Sequence, residues 1–211
     1  MPKSATSSTK PVRKRLSRSK TTLTSANPAS KNRHLLELTQ AALPELSGDR
    51  INVSFQPSLT AHRGKLLSGS PQGTAVHAAS FLRSREIILE EQLLRTPGRL
   101  ARIFVHEVFH FAWLHLGNEK RRSFEALLRS EMERGARGEL GWSAESLKQS
   151  LTNSDRATRS RKWRHYACES FCDTAGWAFG GRRRYAEMTL ARPFRKGRLR
   201  WFTSIADIIK V

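Results

Sequence analysis

Leu35, Leu36, Leu38, Ala41, Ala42 and Leu43 recur at helical spacing until Pro44, which predicts a short opening helix. The period then falls to two. Ile51, Val53 and Phe55 alternate with Asn52 and Ser54 as in a half-buried strand, and Pro57 ends the pattern. A loop rich in Gly, Ser and Pro follows through Gly64, Gly69, Pro71 and Gly73. Residues 74–81 and 85–89 then read as two further strands, giving an expected three-stranded sheet.

The strongest helical pattern runs from Pro97 to Leu116. Thr96 stands at the N-cap position, Pro97 at the first helical position and Gly117 just past the end. Leu100, Ile103, Phe104, Val105, Val108, Phe109, Trp113 and Leu114 cover nearly its whole circumference, so this helix should run through the middle of the domain. Further helices are expected over 119–134, 143–150 and 165–179, the last closed by Gly180 and Gly181. A polar, basic stretch from Ser154 to Arg164 precedes the last of these. The apolar residues near the C-terminus, Trp201, Phe202, Ile205, Ile208 and Ile209, should dock on the core. The fold class is α+β.

Charge divides the chain. Lys and Arg number 38 against 18 Asp and Glu, a formal net charge of +20. Nine of the basic residues fall in 1–33, which holds no acid, is rich in Ser and Thr and has almost no large apolar residue. That segment is expected to be a disordered basic tail before a single domain spanning 34–211. The remaining 29 basic residues still outnumber the acids. Arg156, Arg159, Arg161, Lys162 and Arg164 flank Trp163, while Arg182, Arg183, Arg184, Arg192, Arg195, Lys196, Arg198 and Arg200 flank Tyr185, Phe194 and Trp201. Cations interleaved with aromatics suit phosphate contact with base stacking, so nucleic acid is a candidate partner.

No apolar run reaches the length of a bilayer span, and the tail lacks the apolar core of a secretory signal. Cys168 and Cys172, the only cysteines, stand four apart in one expected helix, where free thiols rather than a disulfide framework are the natural reading. A reducing, cytoplasmic location fits them.

Chemistry concentrates in the central helix. His106-Glu107-Val108-Phe109-His110 places two imidazoles one turn apart on one face, able to converge on a single cation, with Glu107 rotated toward a water bound there. A carboxylate in so apolar a helix would be costly without a cation or a partner. The third donor is sought downstream among His115, Glu119, Glu125, His165 and Glu169. His115 points about 140° around the helix from His110. Glu119 and Glu125 fit a solvated face better than a metal site. Glu169 instead sits in an apolar helix with Asp173 one turn later. There Glu169 can ligate while Asp173 accepts a hydrogen bond from a ligating histidine and fixes its tautomer.

The His-Glu-x-x-His helix followed by a Glu-x-x-x-Asp helix resembles the gluzincin class of zinc metallopeptidases, especially its small members. The likeness covers roughly residues 50–180. It implies a zincin-like fold, a small sheet packed on the central helix, Zn2+ on His106, His110 and Glu169, Glu107 as general base and Asp173 behind the ligands. The chain departs from the metzincin pattern, because no glycine and third histidine follow His110 at that spacing. The resemblance further implies cleavage of a peptide or protein substrate, with the strand at 85–89 as the edge along which a peptide adds; Tyr166 or His165, within one turn of Glu169, are the nearest candidates for the donor that the tetrahedral oxyanion needs. The competing expectation is a basic nucleic-acid-associated or protein-binding module on a catalytically silent zincin fold.

Overall fold

The computed structural model describes residues 43, 44, 46–63, 65–69, 72–181, 184–205 and 209–211. The tail over 1–33 and all but the last residue of the helix expected over Leu35–Leu43 lie outside the described residues.

The architecture of the described residues is α+β, with six α-helices, one 3-10 turn and two small three-stranded sheets. Strand β1 (Asn52–Gln56) pairs in parallel with β6 (Glu86–Glu90), and β5 (Ala78–Phe81) pairs antiparallel with the other side of β6. Ile87, Ile88 and Leu89 of β6 are buried on both faces, as a central strand requires. The expected edge at 85–89 is therefore corrected. That strand is the middle of its sheet, and the edges are β1 and β5.

The second sheet was not expected. Strands β2 (Leu59–His62) and β3 (Lys65–Ser68) form a hairpin, and β4 (Thr74–Ala75) pairs with the other side of β2. The expected strand 74–81 divides between the sheets: Val76 N–H still donates to Leu59 O, while His77 O accepts from Glu90 N–H. Strands of two to four residues inside a Gly- and Pro-rich stretch carry too few alternations to show a period.

Helix α1 (Pro97–His115) begins at the expected proline, although the Thr96 side chain makes no cap hydrogen bond. Helix α2 (Gly117–Glu133) returns along it. Helices α3 (Trp142–Gln149) and α4 (Asn153–Thr158) lead to α5 (Arg161–Phe179), and α6 (Arg192–Thr203) closes the bundle. Thus α5 starts four residues before the expected 165, where Ser160 accepts from Trp163 N–H as N-cap. The capping box of Thr152 and Asp155 starts α4, which runs into the polar, basic stretch that begins at Ser154.

The core forms where α1 packs on α5. Phe109, Phe124, Phe171 and Phe202 are fully buried and stack or tilt against one another, Phe171 on Phe202 at 4.9 Å between centroids. Each such side chain contributes about 1.5–3 kcal/mol by leaving water. Gly176 makes the close crossing possible, since a Cβ there would lie 2.9 Å from Arg102 O of α1. As expected, the C-terminal apolar residues dock: Phe202, Ile205 and Ile209 are buried, and Val211 N–H donates to Ser47 O at 2.8 Å. No helix of the described residues is long and apolar enough to cross a membrane.

Candidate metal centre

The α1–α5 crossing brings His106, His110 and Glu169 together. Each carboxylate oxygen of Glu169 faces a ring nitrogen, Oε2 at 3.3 Å from His106 Nε2 and Oε1 at 3.9 Å from His110 Nε2. Two donors about 2.0–2.1 Å from one tetrahedral zinc stand about 3.3 Å apart. The first pair meets that separation; the second is longer and runs to the other carboxylate oxygen. The two imidazoles are edge to face, with centroids 5.0 Å apart.

Asp173 lies behind His106. His106 Nδ1–H donates to Asp173 Oδ1 at 2.9 Å, turning Nε2 toward Glu169, and Ala144 N–H at the start of α3 donates to Oδ2 at 3.0 Å. Gly141, the residue before α3, lies so close that a Cβ would overlap the Asp173 carboxylate. The loop before α3 thus holds the aspartate that holds the histidine. Nothing in the spacing of Gly141 or Ala144 signals this, because the contact spans about thirty residues of chain.

These groups line an open cleft of ≈ 280 Å³ whose walls are Ala78, Ala79 and Ser80 of β5, Leu82, His106, Glu107, His110, Ser143 and Glu169. Glu107 is buried, and Ser80 Oγ lies 2.5 Å from its Oε2 and 3.0 Å from its carbonyl oxygen. Ser80 went unnoticed in the sequence, where a serine in a strand pattern carries no chemical signal.

Without a cation the carboxylates draw protons onto the rings. Burial disfavours charge on His106, yet Asp173, Glu169 and Glu107 outweigh it and raise its pKa well above the usual imidazole value. Burial likewise opposes charge on His110, but the Cys168 hydrogen bond and the Glu169 and Glu107 carboxylates prevail. Glu169 is itself held well below the usual carboxylate range, since hydrogen bonds from His106 and His165 overcome its burial. Three carboxylates and two half-buried imidazoles thus converge on a space suited to positive charge.

A second set of donors touches the same ring. His110 Nδ1 is 3.5 Å from Cys172 Sγ and 3.6 Å from Cys168 Sγ. Both cysteines are free thiols, Cys172 buried and Cys168 partly so. The hydrogen bond from Cys172, and next that from His110, lower the Cys168 pKa to about 6 against the opposing effect of burial. His106, His110 and Cys172 offer donor atoms all within 4.8 Å of one another, as do His110, Cys168 and Glu169, so the cluster is able to hold a metal ion.

Other candidates fall elsewhere. Tyr166 is corrected: it is fully buried and absent from the cleft, and its hydroxyl donates to Glu139 Oε1 at 2.5 Å. Burial and the Glu139 carboxylate hold its pKa far above that of an ordinary phenol, so it stays a packed, protonated donor. His115 Nδ1–H donates to Phe111 O at 3.0 Å, and Glu119 is exposed. Glu125 is not solvated as expected. It is 1% exposed and accepts from Arg159 Nε at 2.6 Å, Arg159 Nη2 at 2.8 Å and Trp163 Nε1 at 3.1 Å.

The aromatic residues of the basic clusters pack against other side chains of the protein, Trp163 buried and Tyr185, Phe194 and Trp201 half-buried. Trp163 is buried under Arg129, Tyr185 stacks on Arg102 and donates to Leu140 O, Phe194 lies under Arg134, and Trp201 packs on Phe124. Arg198 is fully buried. Its guanidinium spans Glu131 (Nη2–Oε2 2.8 Å) and Glu139 (Nη1–Oε2 2.7 Å), and Lys148 Nζ adds a second cation 3.1 Å from Glu139. The sequence placed Arg198 in a charge run without marking it as interior.

Comparisons with protein-family models, curated proteins and solved structures find no match, so the chemistry of the site is read from its own geometry.

Proposed function

We propose that the protein is a zinc-dependent peptidase of gluzincin type, in which His106, His110 and Glu169 hold the metal. The observation that carries this reading is the placement of one carboxylate, 59 residues beyond the second histidine, with an oxygen toward each imidazole and Asp173 behind the first. Two imidazoles and a carboxylate suit zinc, and a site of three protein donors leaves a position for substrate or water. Zinc bound there supplies Lewis acidity, polarising a scissile carbonyl and making water more acidic.

The chain's own residues do the rest. Glu107, in the cleft beside His106, accepts the proton of the attacking water and delivers it to the leaving amine. Ser80 holds the Glu107 carboxylate by its hydroxyl. Of the two donors expected for the oxyanion, neither lines the cleft; His165, largely exposed with Nε2 3.6 Å from Glu169 Oε1, whose hydrogen bond raises its pKa, is the nearer. An extended peptide finds free backbone donors and acceptors along β5, whose Ala78, Ala79 and Ser80 line the cleft, and joins the sheet as an added strand.

The test is metal analysis of the purified full chain together with digestion of a peptide library. The expected result is close to one zinc per chain and cleavage that disappears in Glu107→Gln while the zinc remains. Absence of zinc from protein prepared without chelator defeats the proposal.

A further inference from the structure

We infer that Cys168, Cys172 and His110 Nδ1 form a second, thiophilic metal site that competes with the first for the His110 ring. Two sulfurs approach one ring nitrogen, at 3.5 and 3.6 Å. That nitrogen carries either one proton or one lone pair, so it makes a full hydrogen bond with only one of the two thiols. Cys172 hydrogen-bonds to Cys168 in turn, so the three donor atoms face one another as the ligands of one cation do. In tetrahedral geometry, with about 2.0–2.1 Å to an imidazole nitrogen and about 2.3 Å to a thiolate, nitrogen and sulfur stand about 3.5 Å apart, close to both separations.

Glu169 is the available fourth donor, because its carboxylate lies within 4.8 Å of the His110 and Cys168 donor atoms. Cysteines favour soft ions such as cadmium or copper(I), whereas the imidazole–carboxylate set favours zinc. Binding of a divalent ion replaces any proton on the two sulfurs and on His110 Nδ1, which leaves to solvent, and forms two metal–sulfur bonds and one metal–nitrogen bond.

The two sites exclude each other through His110. A neutral imidazole has one lone pair. When Nε2 points it at the zinc set, Nδ1 carries the proton and donates to sulfur; when Nδ1 binds the thiophilic ion, Nε2 carries the proton and faces Glu169. A soft ion therefore withdraws both His110 and Glu169 from the zinc set. The competition rests on the peptidase reading; the thiolate site does not.

The experiment is titration of the chelator-stripped full chain with cobalt(II), read as the near-ultraviolet thiolate-to-cobalt charge-transfer band and the visible ligand-field bands. The wild type is expected to show the charge-transfer band, His106→Ala to keep it, and the Cys168→Ser, Cys172→Ala double variant to lose it while retaining the ligand-field bands. Because Cys172 is buried, the partly exposed single variant Cys168→Ser, checked for native circular dichroism, must also weaken the band. Ligand-field bands with no charge-transfer band in the wild type overturn the thiolate site and leave the zinc set intact. No cobalt spectrum at all overturns both, and a charge-transfer band abolished by His106→Ala shows one merged site rather than two competing ones.

Discussion

Ser80 Oγ on the edge strand β5 lies 2.5 Å from Glu107 Oε2 on the central helix, joining the wall along which a peptide would lie to the group that would move its proton. The hydroxyl fixes the carboxylate in one orientation. Ser80→Ala is expected to lower kcat for peptide cleavage about tenfold, as misplacing a reacting group does, with zinc content and KM little changed. A parallel fall in zinc content would instead mark Ser80 as part of the scaffold.

Asp173 ties α3 to the metal centre, accepting from His106 Nδ1 on one oxygen and from Ala144 N on the other. Asp173→Ala should weaken zinc binding about 10–100-fold, measured by competition with a chromophoric chelator. Asp173→Asn should recover only part of this, because its single carbonyl oxygen satisfies one of the two donors.

Gly141→Ala forces a methyl group into the Asp173 carboxylate. Overpacking of this kind costs about 1–3 kcal/mol. The expected outcome is a lower Tm together with weaker zinc binding, whereas an alanine at exposed Gly135, with no atom within 4 Å of its Cβ but a φ of +77°, should lower Tm alone.

Tyr166→Phe removes the hydroxyl that donates to Glu139 and nothing in the cleft. Urea denaturation should show a loss of about 1 kcal/mol, and kcat/KM should not change. A large fall in kcat with unchanged stability would return Tyr166 to catalysis.

The buried network around Arg198 sets an acid limit on stability. Burial alone would raise the Glu139 pKa, but Arg198, Lys148 and the Tyr166 hydroxyl reverse this and lower it to about 2 from an ordinary 4.5. A carboxylate lowered on folding adds stability that is complete above its unfolded value and lost as pH falls through the folded one. Glu131 runs the other way, since burial raises it despite Arg198. Wild type and Glu139→Gln should therefore differ most in unfolding free energy above pH 4.5 and converge toward pH 2. Arg198→Met, which strands two buried carboxylates, should cost about 3–5 kcal/mol at neutral pH.

Much of the candidate centre was legible because its signals are local. His106, Glu107 and His110 share one helix turn, and Glu169 and Asp173 another, so helical geometry alone gives their faces. Pro97 likewise marked the start of α1. Tyr166 was misread for the same reason: closeness in sequence to Glu169 says nothing about its partner, and Glu139, 27 residues away, took the hydroxyl inward. The middle position of β6 escaped because a buried apolar run reads alike in a central strand and an edge strand, and only pairing with both β1 and β5 distinguishes them.

The amino-acid order by itself determined which residues able to bind a cation share a helix face, because that follows from a repeat of 3.6 residues along one chain. The tertiary structure alone decided that Glu169 meets both histidines, that Ser80 reaches Glu107, that the loop before α3 props Asp173, that two thiols flank the far nitrogen of His110, and that Arg198 is interior. Each of these is a contact between residues far apart in sequence, set by how α1, α5 and the sheet pack around their shared aromatic core, and no local period encodes it.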